Sequence, residues 1–534
     1  MSILVAADLP CHARPIRKFS LLIMFTIASL AATPSSAASA PANFRFRISN
    51  EPQTLDWTLA HTSVETHLLM NLMEGLLSYG RDMHIIPALA SAWKVSADGK
   101  VYTFTIRKGA QWSDGVAVKA PDFVYSWRRL LTPATGAPYA YFLADIEGAE
   151  AFSLRKLTDF SKVGIRTVDD QHLEIRLRRP IAHFLHLLTF WVTFPLRQDL
   201  VEKFGSAWEK PGNQVTTGPF VLESHDFEQK YVLKRNPHYW GKHGNLEQVT
   251  ALIVPEESTA LALYEAGKLD FLGDLSSLDV KRFAQSPELK VFRYAKTGYL
   301  GFSTTQYPTT LMPVRKALGM AIDRAKLPQF LQGGETSAHS LVPPGMLAYS
   351  PKIGPSFDPE GARIQLARAG LDRSYKGPVE ILLQSTEKQV LLGQFIQAEI
   401  KRNLGWDVQL APYDHRSFRA QLDLRRIPMF QQTWGADYPD PDGFLSLFLR
   451  TSGNNSTGWG NEYYDAQVLA ARGMTQASAR EKIYLALQKQ LIEDEAVILP
   501  LYYDSNRVLV RKKVKGFNLN PLNYLYLKEV SLGD

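Results

Sequence analysis

The sequence predicts an α/β protein with more than one domain and more than one sheet. Its 534 residues exceed what a single hydrophobic core usually organises, so about two or three domains are expected. Strand-like alternation occurs near the amino end, and further along helical patterns are followed at once by apolar strands. No repeat of fixed period is present, which excludes solenoids and propellers.

Alternation predicts the first strands. From Asn43 to Ser49, and again from Val101 to Arg107, polar and apolar residues alternate with the period of a half-buried strand. The second run lies between the turn signals Asp98-Gly99 and Ser113-Asp114-Gly115. We therefore expect strands that are joined by tight turns.

A helix followed by a strand is predicted before residue 410. Phe395, Ile396 and Ile400 share one face of a helix that ends at Leu404-Gly405. A strand from Asp407 to Leu410 follows.

The same succession is predicted near the carboxyl end. Ser478 and Glu481 have the spacing of a capping box, which indicates a helix through Leu487 and Leu491. An apolar strand from Val497 to Tyr503 comes next.

The first forty residues have the pattern of a secretory signal peptide. Arg14, Arg17 and Lys18 precede the apolar run from Phe19 to Ala32, which is shorter than the ~20 residues that span a bilayer. Ala38-Ser39-Ala40 supplies small residues for cleavage after Ala40. An uncleaved anchor is the alternative.

Cysteine usage bears on the compartment. The only cysteine, Cys11, precedes the apolar run, so the mature chain would have neither a thiol nor a disulfide. The usual bacterial lipid anchor needs a cysteine after that run and is not expected. We therefore expect a protein of a Gram-negative periplasm.

The charge distribution argues against nucleic acid as a partner. The net charge of +7 falls to about +5 when residues 1–40, with three basic residues and one acidic residue, are removed. The remaining basic residues are scattered and form no tract.

No local catalytic motif is present. The sequence contains no G-x-S-x-G elbow, no H-E-x-x-H zinc helix and no Walker-type loop. His183 and His186 have a spacing that could hold a metal, but their apolar neighbours favour packing. We expect neither catalysis nor a cofactor, and a secreted hydrolase stays as an alternative.

Many short motifs follow one another in a characteristic order over roughly residues 44–527. The main ones are Glu51-Pro52-Gln53-Thr54-Leu55-Asp56, Met73-Glu74-Gly75-Leu76-Leu77, the block from Asp98 to Trp127, Thr217-Gly218-Pro219-Phe220, Asn236-Pro237-His238-Tyr239-Trp240, Val314-Arg315-Lys316-Ala317-Leu318 and Trp434-Gly435-Ala436-Asp437-Tyr438. In this order the motifs resemble the extracellular solute-binding proteins of family 5, especially the oligopeptide-binding branch of peptide importers.

The resemblance implies a type II periplasmic binding protein with three lobes and a hinged cleft. Lobe I would combine residues 41–74, 199–295 and 501–534, lobe II would be 75–198, and lobe III would be 296–500. The chain would cross between lobes I and III near residues 296 and 500. Ligand that touches both lobes would stabilise the closed state.

The resemblance also implies ligand contacts. Asp437 matches the family carboxylate for the ligand's α-amino group, and Thr433 to Gly435 would offer backbone hydrogen bonds to an extended peptide. Trp434 would line the first side-chain pocket, and Tyr139 would close over the ligand from lobe II. Asp437 could instead be an ordinary turn acid, and the aromatic residues could belong to the core.

Tyr502 and Tyr503 are further candidate contacts, although one of the two must face the core of its strand. Other positions depart from the family pattern. Gln431, six residues before Asp437, and Gln389 stand where some members have basic residues, and His61 stands where a glutamate is usual. These departures leave the recognition of the ligand's carboxylate open.

The function that follows is the periplasmic binding component of an ABC importer. It would be a monomer that binds short peptides and passes them to an inner-membrane permease with its ATPases. A different solute on the same fold is the alternative: a cell-wall peptide, a modified amino-acid compound, a metal chelate or a sugar.

Overall fold

The computed structural model describes residues 42–533. The expected signal peptide and its cleavage after Ala40 lie outside these residues and stay a prediction. Among the helices of residues 42–533, none is long and apolar enough to cross a membrane.

The expectation of a mixed α/β protein is confirmed. The strands, in chain order, are β1 (Asn43–Ile48), β2 (Leu77–Tyr79), β3 (Ile85–Pro87), β4 (Ala90–Val95), β5 (Val101–Ile106), β6 (Ile165–Asp169), β7 (His172–Arg176), β8 (Phe220–Asp226), β9 (Lys230–Arg235), β10 (Gln248–Ile253), β11 (Phe271–Leu272), β12 (Leu289–Phe302), β13 (Thr336–Ser337), β14 (Glu380–Gln384), β15 (Gln409–Tyr413), β16 (Met429–Gly435), β17 (Ile498–Val510), β18 (Val514–Lys515) and β19 (Ser531–Leu532).

Helices connect most of these strands. They are α1 (Ser63–Leu72), α2 (Ala120–Leu131), α3 (Ala149–Ser153), α4 (Phe184–Leu187), α5 (Gln198–Phe204), α6 (Glu257–Glu265), α7 (Ser277–Arg282), α8 (Met312–Met320), α9 (Leu327–Leu331), α10 (Pro359–Arg368), α11 (Glu387–Leu404), α12 (His415–Leu424), α13 (Asp442–Leu445), α14 (Glu462–Gly473) and α15 (Ala477–Lys489).

One large sheet passes through the molecule. Its strand order is β15-β14-β16-β12-β17-β11-β1-β10-β9-β8, and β13 pairs with β17. A separate antiparallel sheet has the order β4-β5-β7-β6. The predicted alternation of β1 is confirmed, because Phe44, Phe46 and Ile48 are buried.

The two longest strands, β12 and β17, form the centre of the large sheet. They run antiparallel, and their register shifts between Arg293 and Thr297. From Lys296 to Phe302, β12 also pairs with β16. The hydrophobic core divides into separate clusters in the same region. One cluster consists mainly of residues from 44–271 and 508–530, and two others consist of residues from 299–502.

Three local predictions are wrong in detail. No capping box forms at Ser478, because α15 begins at Ala477 and Gln476, two residues before Ser478, takes the N-cap position without a side-chain hydrogen bond. Ser478 therefore lies inside the first turn. The strand predicted from Asp407 begins at Gln409, and the strand predicted to end at Tyr503 continues to Val510.

Candidate functional site

A cavity of about 190 Å³ lies where β16 ends. It brings together four of the predicted ligand contacts, namely His61, Tyr139, Gly435 and Asp437. These residues come from distant parts of the chain. The other lining residues are Thr62, Ser63, Thr66, Phe190, Trp191, Tyr294, Ala436, Leu522, Asn523 and Tyr524.

The large sheet positions Asp437. Gly435 pairs with Lys296 at the end of β16, and the amide of Ala436 donates to the carbonyl of Ala295 over 2.8 Å. Asp437 is the next residue, and the chain then turns through Pro439 into α13. The carboxylate therefore lies one residue beyond a hydrogen-bonded strand end, which fixes its position in the cavity.

The carboxylate of Asp437 has no partner among residues 42–533. No cation pairs with it, and burial raises the pKa of its carboxyl to about 6. The phenol of Tyr139 also has its pKa raised to about 12, by burial and by the nearby Asp437. A half-buried carboxylate without a cation is costly, and a cationic ligand group would remove that cost.

Two ion pairs hold the turn that follows Asp437. Arg480 contacts Asp440 at 2.8 Å, and Arg472 contacts Asp442 at 3.0 Å. Tyr438 donates from its hydroxyl to Asp442 over 3.2 Å. Sequence reasoning did not find these arginines, because no local motif links α14 and α15 to the turn.

Aromatic rings form one wall of the cavity. The ring of Tyr139 lies 5.1 Å from that of Phe190 and 5.8 Å from that of Trp191, both edge to face. Trp191 is 6.3 Å from Tyr524. Such a wall would contact an apolar side chain close to the ligand's amino group.

The two histidines that raised the question of a metal are part of the packing around this wall. His183 is buried, and its Nε2 lies 4.0 Å from Asp442. His186 contacts the hydroxyl of Tyr79 at 3.1 Å. Within residues 42–533, no group of three or more potential metal ligands is found.

A second cavity, of about 180 Å³, adjoins the first. Ser63, Tyr294 and Asn523 line both cavities. The second cavity has charged walls, to which Arg47, Asp274, Lys296, Asp504 and Arg507 contribute. The two cavities together form one cleft with a different electrostatic character at each end.

Four other predicted contacts are hydrogen-bonded to groups of the protein itself. With its amide oriented to suit its neighbours, Gln431 donates to Gln389 Oε1 over 2.7 Å and accepts from the amide of Gly393 over 2.9 Å. Gln389 in turn donates to the hydroxyl of Tyr502 over 3.3 Å. Tyr503 hydrogen-bonds through its hydroxyl to Ser340, and both tyrosines are buried.

Trp434 and Thr433 lie on β16, opposite Thr297 and Gly298 of β12. The indole of Trp434 donates to the carbonyl of Gly443 over 2.9 Å, so it also supports the turn after Asp437. The strand β14 pairs with β16 only at Met429 and Phe430. Among the described residues, no strand therefore lies beside the edge of β16 beyond Gln431 on that side.

Comparison with known proteins gives a consistent family. The family model described as "Bacterial extracellular solute-binding proteins, family 5 Middle" matches residues 84–456. The probable deoxycholate-binding periplasmic protein YgiS of Escherichia coli is 30% identical over 95% of this chain and 98% of its own length. The periplasmic murein peptide-binding protein MppA of the same organism is 31% identical, over 89% and 90% respectively.

Solved structures share the fold. The structure of Escherichia coli MppA superposes with a TM-score of 0.77 at 30% identity, over 92% of this chain and 98% of that one. Haemophilus influenzae OppA in complex with RPPGFSPFR superposes with a TM-score of 0.75 at 27% identity, over 92% and 99%. The fold is therefore that of the peptide-binding periplasmic proteins, as the sequence predicts.

Proposed function

The chain belongs to family 5 of the bacterial extracellular solute-binding proteins, and we propose that it binds short peptides and delivers them to an ABC permease. Its place of action is the periplasm, where its named relatives work. It acts as a monomer and needs no cofactor. The observation that favours a peptide is the unpaired carboxylate of Asp437 in the cleft.

The amino group of the peptide pairs with Asp437. A buried ion pair is favourable only when both charges are present, and a lone buried charge costs several kcal/mol. The free protein has one such charge in this cavity, and a peptide ammonium supplies the other. The aromatic wall around Tyr139 then contacts the first side chain.

The peptide backbone pairs with the free edge of β16. Thr433 to Gly435 pair with β12 on one side, while β14 leaves the other side of these residues uncovered. An extended peptide can add there as a further strand and use groups that every peptide has. This arrangement supports binding that depends little on sequence.

We propose for the lobes the bounds that the resemblance implies: 41–74, 199–295 and 501–534 for lobe I, 75–198 for lobe II, and 296–500 for lobe III. The change of buried cluster near residues 295–299 and 502–508 supports the division between lobes I and III. Within residues 42–533, β12 and β17 are the strands that cross there, so a few residues of two strands would absorb the closure.

A different solute is a second candidate, because the name of YgiS gives deoxycholate as the probable ligand of that protein. Deoxycholate has a carboxylate but no amino group, so it would leave Asp437 without a cation. The cleft therefore favours peptides over a steroid acid.

Native mass spectrometry of the purified protein tests the proposal. Peptide pools of two to five residues are offered with free or acetylated amino ends, and deoxycholate is offered in parallel. We expect retention of unmodified peptides and loss on acetylation. Retention of deoxycholate alone would overturn the peptide assignment, and release of cleaved products would indicate a hydrolase instead.

A further inference from the structure

We infer that the second cavity holds the peptide's carboxylate, with Lys296 as the counter-charge. This inference rests on the proposed function and names the part of the ligand that Asp437 does not explain. The positions where some relatives have basic residues, Gln431 and Gln389, are hydrogen-bonded to each other. A carboxylate must therefore find its partner elsewhere.

The charged cluster beneath this cavity has one cation in excess. Lys388 contacts Glu335 at 2.7 Å and Asp504 at 2.8 Å. Arg507 contacts Glu335 at 3.0 Å, and Lys296 lies 3.7 Å from Asp504. Three cations thus share two carboxylates, which leaves a formal charge of +1 in the cluster.

Two further charges in the wall cancel each other. Arg47 donates only to the backbone carbonyls of Val254 and Pro255, and Asp274 is exposed. The excess positive charge therefore remains when the whole wall is considered. It faces the cleft, because Lys296, Arg507 and Arg47 all line the cavity.

Lys296 is the least satisfied member of the cluster. Its single carboxylate contact is long, and 28% of its side chain is exposed. Burial alone would raise the pKa of Asp504, but Lys388 and Lys296 hold it below its usual range, so Asp504 is ionised. Lys388 already has two close carboxylate contacts, which leaves Lys296 as the cation that can turn to a ligand.

A carboxylate suits Lys296 as a partner. It is acceptor-only and offers several lone pairs, so it can pair with the lysine while Lys388 and Arg507 keep their own carboxylate contacts.

The separation of the two ends limits the ligand's length. Gly435 lies directly opposite Lys296 in the sheet, and Asp437 is two residues further along. Tyr294 lines both cavities and so lies where the two cavities meet. An extended peptide of two or three residues spans roughly 7–10 Å. Such a peptide can place its amino group at Asp437 and its carboxylate at Lys296.

Paired peptide pools test this inference. Pools of two to five residues are prepared with a free carboxyl end, as carboxamides and with acetylated amino ends, and dissociation constants are measured by calorimetry for the best binders. The wild type should bind free acids at least about tenfold more tightly than carboxamides, with the best affinity at two or three residues.

Lys296→Met removes the charge, and Lys290→Met is the matched control, because Lys290 is an exposed lysine of the same strand. The ratio of acid to carboxamide affinity should fall towards one in Lys296→Met and stay unchanged in Lys290→Met. An unchanged ratio in Lys296→Met would overturn the inference. Equal binding of acids and carboxamides by the wild type would also overturn the inference. Loss of binding on acetylation would in that case still support the pairing of the peptide's amino group with Asp437. If no peptide form binds, the proposed function and this inference both fall.

Discussion

The imidazole of His183 stacks on the ring of Tyr438, with the ring centroids 4.6 Å apart and the planes within 11°. Tyr438 directly follows Asp437, and the amide of Ala182 donates to the carbonyl of Arg472 over 3.1 Å. The segment that precedes α4 therefore packs against the turn that presents the ligand carboxylate. The position of Asp437 depends on this packing as well as on β16.

Arg480→Met should destabilise the protein strongly. Arg480 and Asp440 are both buried and contact each other at 2.8 Å, and removing one partner leaves an uncompensated charge in the interior. We expect a loss of about 3–5 kcal/mol in the free energy of unfolding. Urea denaturation measures this loss.

The double variant Arg480→Met with Asp440→Asn serves as the control for that experiment. It removes both charges, so it should recover a large part of the stability. If the double variant is as unstable as Arg480→Met alone, the loss comes from packing and not from the unpaired Asp440.

Asp437→Asn should weaken peptide binding and stabilise the free protein. Loss of the ion pair should cost about 3 kcal/mol of binding free energy, roughly a hundredfold in the dissociation constant. The ionised carboxylate is strained by burial, since its pKa is raised to about 6. At pH 7 the variant should therefore unfold with a free energy that is about 1–3 kcal/mol higher.

Calorimetry with a dipeptide or tripeptide and urea denaturation give the two quantities. Asp423→Asn is the matched control, because Asp423 is exposed and neither quantity should change. Unchanged peptide affinity in Asp437→Asn would show that Asp437 is not part of the site. A free energy of unfolding below that of the wild type would contradict the claim that burial strains the ionised carboxylate.

The sequence predicts the parts of the fold whose cause is local. β1 and β5 follow from alternation, because every second residue is buried. The capping box at Ser478 fails for the opposite reason. The spacing is correct, but α15 packs against α14 and has its N-cap at Gln476, two residues before the side-chain signal.

The site is predictable at one end only. Asp437 and Gly435 lie in a short motif of the family, and the structure places His61 and Tyr139 beside them. The charged cluster at the other end joins β12, α11 and β17 through Lys296, Lys388 and Asp504. No local pattern links these residues, so only the pairing of β12 with β17 reveals the cluster.

Peptide affinity should depend on pH through Asp437. The free carboxyl has its pKa raised to about 6, and the peptide ammonium pairs only with the ionised form. Affinity should therefore be full above pH 6 and fall about tenfold for each pH unit below it. It should also fall above about pH 8, where the peptide's amino group loses its proton.

Calorimetry between pH 4.5 and 9 would record this bell-shaped profile. In Asp437→Asn the acid limb should disappear while the alkaline limb stays. An acid limb that persists in the variant would assign the proton to another group of the cleft.

His186 should make the protein less stable in acid. Burial lowers the pKa of His186 to about 4, whereas a histidine of an unfolded chain has a pKa of about 6.5. As the pH falls below 6.5, the unfolded state binds a proton that the native state does not bind. The stability that is present above pH 6.5 is therefore lost progressively down to about pH 4, and the loss at pH 5 should be about 2 kcal/mol.

His186→Phe keeps a ring beside Tyr79 and removes the titration, so the difference in unfolding free energy between pH 7 and pH 5 should shrink by that amount. His415→Gln, at an exposed histidine, should leave the difference unchanged. Because both variants are compared with themselves at two pH values, the hydrogen bond that His186→Phe loses to Tyr79 does not affect the result.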